Sequence, residues 1–312
     1  MGQTVKTFKV KTKQERLKDR KKMGPLSSIR ITPTVYARYR KSLLTLFTFW
    51  QIHSLGPKSG DDIDRATSQF VEYQWAEGEP SYICNNALAA LQFFLPLRGK
   101  LSYSWELLKT WHRKEPPVRV MPMHPLLLLG MAAVIYDQDF LSVAAMMLVG
   151  FDCMLRSGEI YRLQVKDIIF SSDRAVLNLR DTKTSQLTGY KDMVVCESSL
   201  AVTLLKSACK HRHPDDTVLA VSPSKFRKLF LGAANHFKLS ERLTPYSLRR
   251  GGATWAFLRH GSMELVLLRG RWQSTKTARI YLQDAVAGLS DMRLSDSDKN
   301  TLRRAAMSLV SP

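Results

Sequence analysis

Residues 154–196 read MLRSGEIYRLQVKDIIFSSDRAVLNLRDTKTSQLTGYKDMVVC. Three short runs inside this stretch carry a strand signal: VKDIIF from Val165, AVLNLR from Ala175 and DMVVC from Asp192. The first and third are rich in β-branched residues, and the second alternates apolar residues with others. Ser171-Ser172-Asp173 supplies turn chemistry after the first, and the polar segment around Gly189 supplies it after the second. Connections this short join neighbouring strands antiparallel, so the stretch predicts a small three-stranded antiparallel sheet.

Outside it the apolar spacing is helical. Helical patterns lie over 126–136 and 140–151, and again over 199–210, 224–237, 246–260, 262–268 and 297–310. Residues 114–125, KEPPVRVMPMHP, hold four prolines in twelve residues and predict a stiff linker. Four more helices precede it. Thr32-Pro33 opens the first, with Tyr36, Tyr39, Leu43, Leu46, Phe47 and Trp50 at helical spacing until Gly56-Pro57. The second starts at Asp61 or Asp62, carries Ile63, Phe70 and Tyr73, and stops by Gly78 and Pro80. The third covers 81–95, and the fourth contains Trp105, Leu108 and Trp111. We assign the tryptophans and tyrosines of this unit to its core.

The predicted fold class is therefore mainly α. A helical domain spans 31–113, a linker 114–125, and an α+β domain with the small sheet 126–312. Residues 1–30 carry ten Lys/Arg against Glu15 and Asp19, with little apolar periodicity. They predict a flexible basic arm. Contact with DNA, a nuclear import signal and a solvated tail all fit such an arm.

Lys plus Arg number 47 and Asp plus Glu 27, a formal net charge of +20. That balance calls for a polyanion, because each cation placed on a phosphate releases a condensed counterion. Membrane is the rival polyanion, but the longest apolar run, Leu126 to Tyr136, has only 11 residues, against about 20 for a spanning helix. The N-terminus has no apolar h-region of a secretory signal. Cys84, Cys153, Cys196 and Cys209 are scattered, with no C-x-x-C pair. They predict reduced thiols in an intracellular protein. Cys209, His211 and His213 lie close together, but their spacing fits no zinc motif, and we read a helix end running into a polar loop.

Four segments matter together for chemistry. They are MLRSGEIYRLQVKDI with Arg156 and Glu159, DTKTSQLTGYKD with Lys183, TPYSLRRGGAT with Tyr246 and Arg249, and RGRWQSTKTARIYLQ with Trp272 and Tyr281. Cleaving a phosphodiester without a metal needs particular parts. Charge accumulates on the non-bridging oxygens in the transition state, and two guanidiniums grip such oxygens bidentately. The leaving oxygen needs a proton, which a lysine delivers if its pKa is lowered. The nucleophile must be an alcohol that survives as an ester. A tyrosine, with pKa near ~10, ionises and is displaced more easily than serine. The sequence offers each of these and no acidic cluster for Mg²⁺. Taken singly, each residue has a plain structural reading: a helix-terminal arginine, a turn lysine, a packing tryptophan, a core tyrosine.

In order and spacing the four segments resemble the tyrosine recombinase (phage integrase) family, whose pattern is Arg, Lys, His-x-x-Arg, His or Trp, then Tyr. The motifs match over 150–283 and the architecture over about 33–312. The resemblance implies a DNA breaking-rejoining fold, with 31–113 as a DNA core-binding domain and 126–312 as the catalytic domain. It implies that Arg156 and Arg249 stabilise the transition state, Lys183 is the general acid and Trp272 donates its indole N–H to the phosphate. Tyr281 would form a 3′-phosphotyrosyl bond, and Glu159 would orient its neighbours. One position departs: Tyr246 stands where the family has His. A phenol donates a hydrogen bond but is a poor base at neutral pH.

The implied partner is double-stranded DNA, bound by a homo-oligomer, a tetramer on two DNA sites, with no membrane, cofactor or metal. Lys225, Arg227 and Lys228, near the start of the helix in SPSKFRKLF, and Lys276 and Arg279, in TKTAR, are the expected DNA-binding cations. The C-terminal helix is expected to dock on a neighbouring subunit or on its own domain. The compartment is wherever the DNA is: the nucleus in a eukaryote, the cytoplasm or nucleoid in a bacterium or phage. A second function class stays open because of Tyr246, a catalytically inactive DNA-binding protein derived from a mobile-element recombinase.

Overall fold

The three runs form the sheet expected of them. In the computed structural model, which describes residues 12–26, 29–97, 99–116, 120–180, 192–237, 243–275, 278–279, 296–307 and 309, β1 (Ile168–Phe170), β2 (Ala175–Leu179) and β3 (Asp192–Cys196) pair antiparallel in that order. Ile168 faces Leu177, and Ala175 lies between Phe170 and Cys196. β2 turns Ala175, Leu177 and Leu179 into the core, the period-2 alternation of a half-buried strand. β1 is shorter than its run. Val165 and Lys166 donate their backbone N–H groups to Asp216 and Pro214, so Val165–Asp167 closes as a single 3₁₀ turn instead of extending the strand.

The chain divides into two compact units, Met1–Val118 and Arg119–Pro312, which meet inside the proline-rich stretch. The first contains α1 (Lys13–Met23), α2 (Pro33–Ile52), α3 (Gly60–Ala76), α4 (Tyr82–Phe94) and α5 (Ser102–Lys114). Helix α1 gives part of the basic segment 1–30 a helical form. Thr12 accepts the Glu15 N–H while Glu15 reaches back to the Thr12 N–H, and this reciprocal cap starts a helix with no buried residue. Local capping, which an apolar-periodicity reading passes over, decides it. Helix α2 begins as expected, with Thr32 capping Val35 and Pro33 in the first turn. Helix α5 has no cap of its own at Leu101. The buried Asp64 carboxylate of α3 accepts from the Tyr103 and Ser104 N–H groups, both at 3.0 Å, and satisfies its open end. The core gathers Leu46, Phe49, Trp50, Phe70, Leu88, Leu91 and Trp111. Not all its aromatics are interior: Tyr36, Tyr73 and Trp75 are each at least 40% exposed.

The second unit is organised on α7 (Leu141–Asp152), which packs against α6 (Pro125–Tyr136). Every residue from Val143 to Phe151 is buried, as suits a helix apolar on all sides. After α7 come a short α8 (Ser157–Arg162), the sheet, α9 (Ser199–Cys209), α10 (Pro223–His236), α11 (Tyr246–His260) and α12 (Met263–Gly270). Helices α9 and α11 also pack on α7. The C-terminal α13 (Asp296–Met307) lies on α6 of its own unit, with Leu302 fully buried over Gly130. Of the two expected docking modes, this is the one within the chain. Among the described residues no helix is long and apolar enough to cross a membrane.

His124 caps α6, its Nδ1 accepting the Leu126 N–H at 3.2 Å. Only an imidazole unprotonated at Nδ1 does this, and burial holds His124 below its ordinary 6.5. The unfolded chain therefore takes up the proton first. The cap's contribution, on the order of 1 kcal/mol, is present above pH 6.5 and is lost as pH falls from there through the lower folded value. His124→Asn keeps a capping oxygen without a titrating group. Its melting temperature should fall less between pH 7.5 and 5.5 than that of the wild type, by calorimetry.

Candidate functional site

The RSGE segment builds one wall of the site. Met154 takes a left-handed conformation (φ 48°) just after α7, and the chain then turns into α8 with Arg156 at its N-cap. Glu159, on the first turn of α8 and 5% exposed, folds back on Arg156. Its Oε2 accepts the Arg156 backbone N–H and its Oε1 accepts Arg156 Nη1, both at 2.7 Å.

The RRGG segment builds the opposite wall. A Cβ on Gly251 would lie 2.2 Å from the Met123 carbonyl oxygen, and one on Gly252 would lie 2.0 Å from that of Phe151. Only residues without a Cβ let α11 approach these backbones so closely. The approach draws Arg249, two residues earlier, into the interior, where it is 1% exposed. Its Nη1 donates to the Met154 carbonyl and its Nη2 to the Gly270 carbonyl at 2.6 Å. Its guanidinium stacks on the Trp272 ring, 4.4 Å from the centroid. Burial first, and then repulsion from Arg156 and Arg271, pulls its pKa down from 12.5 to about 10. It stays charged at neutral pH.

Arg271 is the residue the sequence reading passed over. It ends α12 in a left-handed conformation (φ 55°, ψ 44°), where glycine is the cheaper occupant by roughly 1–2 kcal/mol. Its side chain is 6% exposed and donates from Nη2 to Glu159 Oε2 at 2.7 Å and to the Met154 carbonyl at 3.4 Å. Burial lowers its pKa and Glu159 opposes that shift. In sequence it was one arginine among many beside Trp272, and nothing local marks its backbone as left-handed.

Of the expected site residues, the structure thus brings Arg156, Glu159, Arg249 and Trp272 together. Tyr246, the first residue of α11, also lies within electrostatic reach of Arg249. It borders a cavity of about 300 Å³ with Ser157, Tyr161, Thr244 and, from α10, Arg227. Lys228 lies beside Arg227 along an open face of α10. Lys225 is set apart, with its ammonium 5.2 Å from the centre of the Phe140 ring. Arg279 is exposed next to the buried Ala278. Tyr281, Lys183 and Lys276 lie outside the described residues.

Among the described residues, the only group spaced to hold a metal ion is Asp152, Cys153 and Cys196. Their chemistry argues for a structural role. The Asp152 carboxylate already accepts the Glu197 N–H at 2.8 Å and faces Arg269 at 3.6 Å. Burial, with Cys196 beside it, raises the Cys153 thiol well above its usual range, so the thiolate a metal would need is disfavoured.

Residues 130–287, half of the sequence, match the phage integrase family. The chain belongs to this family. Its fold is similar to that of a lambda integrase dimer bound to a COC′ core site, with a TM-score of 0.57 at 16% identity over 91% of this chain and 79% of that one. It is similar also to the XerH site-specific recombinase on a palindromic difH substrate after cleavage, with a TM-score of 0.52 at 14% identity over 73% and 70%. No curated protein is similar enough to count as a relative. This integrase-family chain therefore has the mainly helical fold, with its small antiparallel sheet, that the four segments led us to expect.

The glycine contact gives a test with an internal control. Gly252→Ala should destabilise the protein by about 3 kcal/mol or more, because its Cβ meets a carbonyl oxygen rather than a side chain that can move. Gly232→Ala, in α10 with nothing within 4 Å, should stabilise by roughly 0.5–1 kcal/mol. Urea unfolding of the two variants reads the difference.

Proposed function

We propose that this protein recombines or integrates DNA at specific sites, cutting and rejoining strands through a tyrosine ester. The observation that carries the reading is the convergence of Arg156 and Arg249, from two distant segments, on Glu159 and the Met154 carbonyl. Arg249, buried and held by two carbonyls, and Arg156, held by the Glu159 carboxylate, are pre-oriented, so little reorganisation is left for the moment when charge develops on a phosphate. Family membership supplies the rest. The Tyr281 oxygen attacks phosphorus, forming a 3′-phosphotyrosyl bond as the bond to the 5′ oxygen breaks. Lys183 gives that oxygen its proton. Attack by a 5′-hydroxyl from a second strand reverses the step and frees Tyr281. The ester conserves the bond energy, so the cycle as proposed calls for no nucleotide and no metal. Trp272 holds Arg249 by stacking and presents its indole edge to the phosphate, and Tyr246 donates from its phenol where the family has an imidazole.

In this reading the helical unit, residues 31–113, is a core-binding domain that grips the duplex with the catalytic domain, 126–312. Arg227 and Lys228 contact phosphates from α10, with Lys276 and Arg279 near the nucleophile and Lys225 at the edge. The working form is a tetramer on two DNA sites. Lambda integrase, of similar fold (TM-score 0.56, 14% identity), has been seen as a tetramer bound to a Holliday junction.

The test begins with sequences selected by the protein from a random duplex library, rebuilt with a nick beside the candidate cleavage position. After denaturation, wild type should carry a covalent 3′ DNA adduct. Tyr281→Phe should form none while binding the same duplex nearly as well. Tyr246→Phe should cleave about 10- to 1000-fold more slowly, the scale of one lost transition-state hydrogen bond. Tyr246→His should match or exceed wild type. Binding without any adduct in the wild type would leave an inactive DNA-binding protein as the function.

The cations divide in the same binding assay. Replacing Arg227 and Lys228 by Ala should lower the slope of log affinity against log salt by roughly 1–2. Lys225→Ala, its ammonium held near Phe140, should change the slope less. Equal effects from both would remove the distinction drawn along α10.

A further inference from the structure

We infer that Arg271 is a positioning residue of the phosphate site, which shares the Glu159 carboxylate so that Arg156 keeps its charge for the substrate. The inference rests on the proposed phosphoryl-transfer reading and adds a residue to it.

Arg271 stands where its backbone favours glycine, and it buries a charge. Its Nε and Nη1 are buried without a hydrogen-bond partner among the described residues. A residue held at such cost for packing alone would be better replaced by an apolar one. Its polar contacts are Glu159 Oε2 and the Met154 carbonyl, the same two groups that hold Arg156 and Arg249.

Charge gives the arrangement its meaning. With Arg156 as its sole partner, Glu159 would cancel that cation and leave Arg249 as the only uncompensated charge of the cluster. With Arg271 present, three guanidiniums surround one carboxylate, and two positive charges remain. Asp192 also acts on Arg271, but its effect ranks behind those of Glu159 and Arg156. A phosphodiester carries one negative charge and a pentacoordinate transition state two. The cluster therefore matches the transition state better than the ground state, which is what accelerates a chemical step. The Nε and Nη1 of Arg271 are closed to solvent, so it acts through Glu159 rather than on the phosphate itself.

Two readouts test this, one of which needs neither a DNA site nor turnover. Orthovanadate, a tetrahedral oxyanion that expands to the five-coordinate geometry of the transition state when a further oxygen adds to vanadium, is titrated into protein labelled with ¹⁵N-arginine, and the Arg156 and Arg249 side-chain signals are followed by NMR. Strand cleavage on the selected nicked duplex is the second. Arg271→Gly suits the left-handed backbone and should fold normally. It should weaken vanadate binding and slow cleavage by about 10- to 100-fold, the effect of one charge across a partly screened site. Affinity for intact duplex should change less than about 3-fold, since distant phosphate contacts dominate it. Arg271→Lys should be intermediate. The decisive variant is Arg271→Gly combined with Glu159→Gln, which removes one charge of each sign and should recover most of both losses. A purely structural role for Arg271 predicts further damage there instead. The inference is overturned if Arg271→Gly matches wild type in vanadate affinity, if the double variant is no better than the single one, or if vanadate moves neither signal in wild type. Vanadate results as expected, with no adduct from wild type on DNA, would instead refute the proposed strand cleavage and leave the charge-sharing intact.

Discussion

The backbone contact between α11 and the segments at Met123 and Phe151 is the constraint on which the site depends. Two adjacent glycines let a helix lie against carbonyl oxygens at a distance that any side chain would forbid. That approach carries Arg249 out of solvent and delivers its guanidinium to the carbonyls of Met154 and Gly270, which belong to two other segments. The left-handed turn at Met154 then leads directly to Arg156, while Gly270 leads to Arg271 and Trp272. One contact between backbones thus sets the mutual placement of four groups from three separate segments of the chain.

Once the backbones are in place, electrostatics governs the rest. Three guanidiniums crowd one carboxylate, and burial first, with repulsion from Arg156 and Arg271 added, leaves the proton of Arg249 held less tightly than that of an ordinary arginine. Burying like charges together is unfavourable unless carbonyls, a carboxylate and an aromatic face absorb them. Here all three do. Like-charged buried groups with perturbed proton affinities are more often found where chemistry is done than where a core needs stiffening. This gives the family pattern a physical basis in this chain that does not rest on resemblance.

The first unit follows another logic. Its core is made by ordinary helix packing, and the buried carboxylate of Asp64 closes the uncapped end of α5. Some aromatics that the spacing assigned to the core remain at the surface, Tyr36, Tyr73 and Trp75 among them. Helical periodicity shows that a residue lies near the apolar stripe, but the neighbouring helix decides whether its ring is covered.

Much of the fold was legible in the sequence because its signals are local. The strands follow from short apolar runs and turn residues, and the start of α2 from Thr32-Pro33. The motif order also marks Arg156, Glu159, Tyr246, Arg249 and Trp272. Apolar periodicity passed over α1, whose reciprocal cap needs no apolar face, and local patterns misjudged the start of β1, where a distant loop takes the hydrogen bonds. They were silent on Arg271. Its left-handed backbone, its burial and its hold on Glu159, 112 residues away in the chain, arise only when α8, α11 and α12 meet. Residue type and spacing are written in the sequence, but the sharing of one carboxylate among charges from separate segments is a property of the packed state.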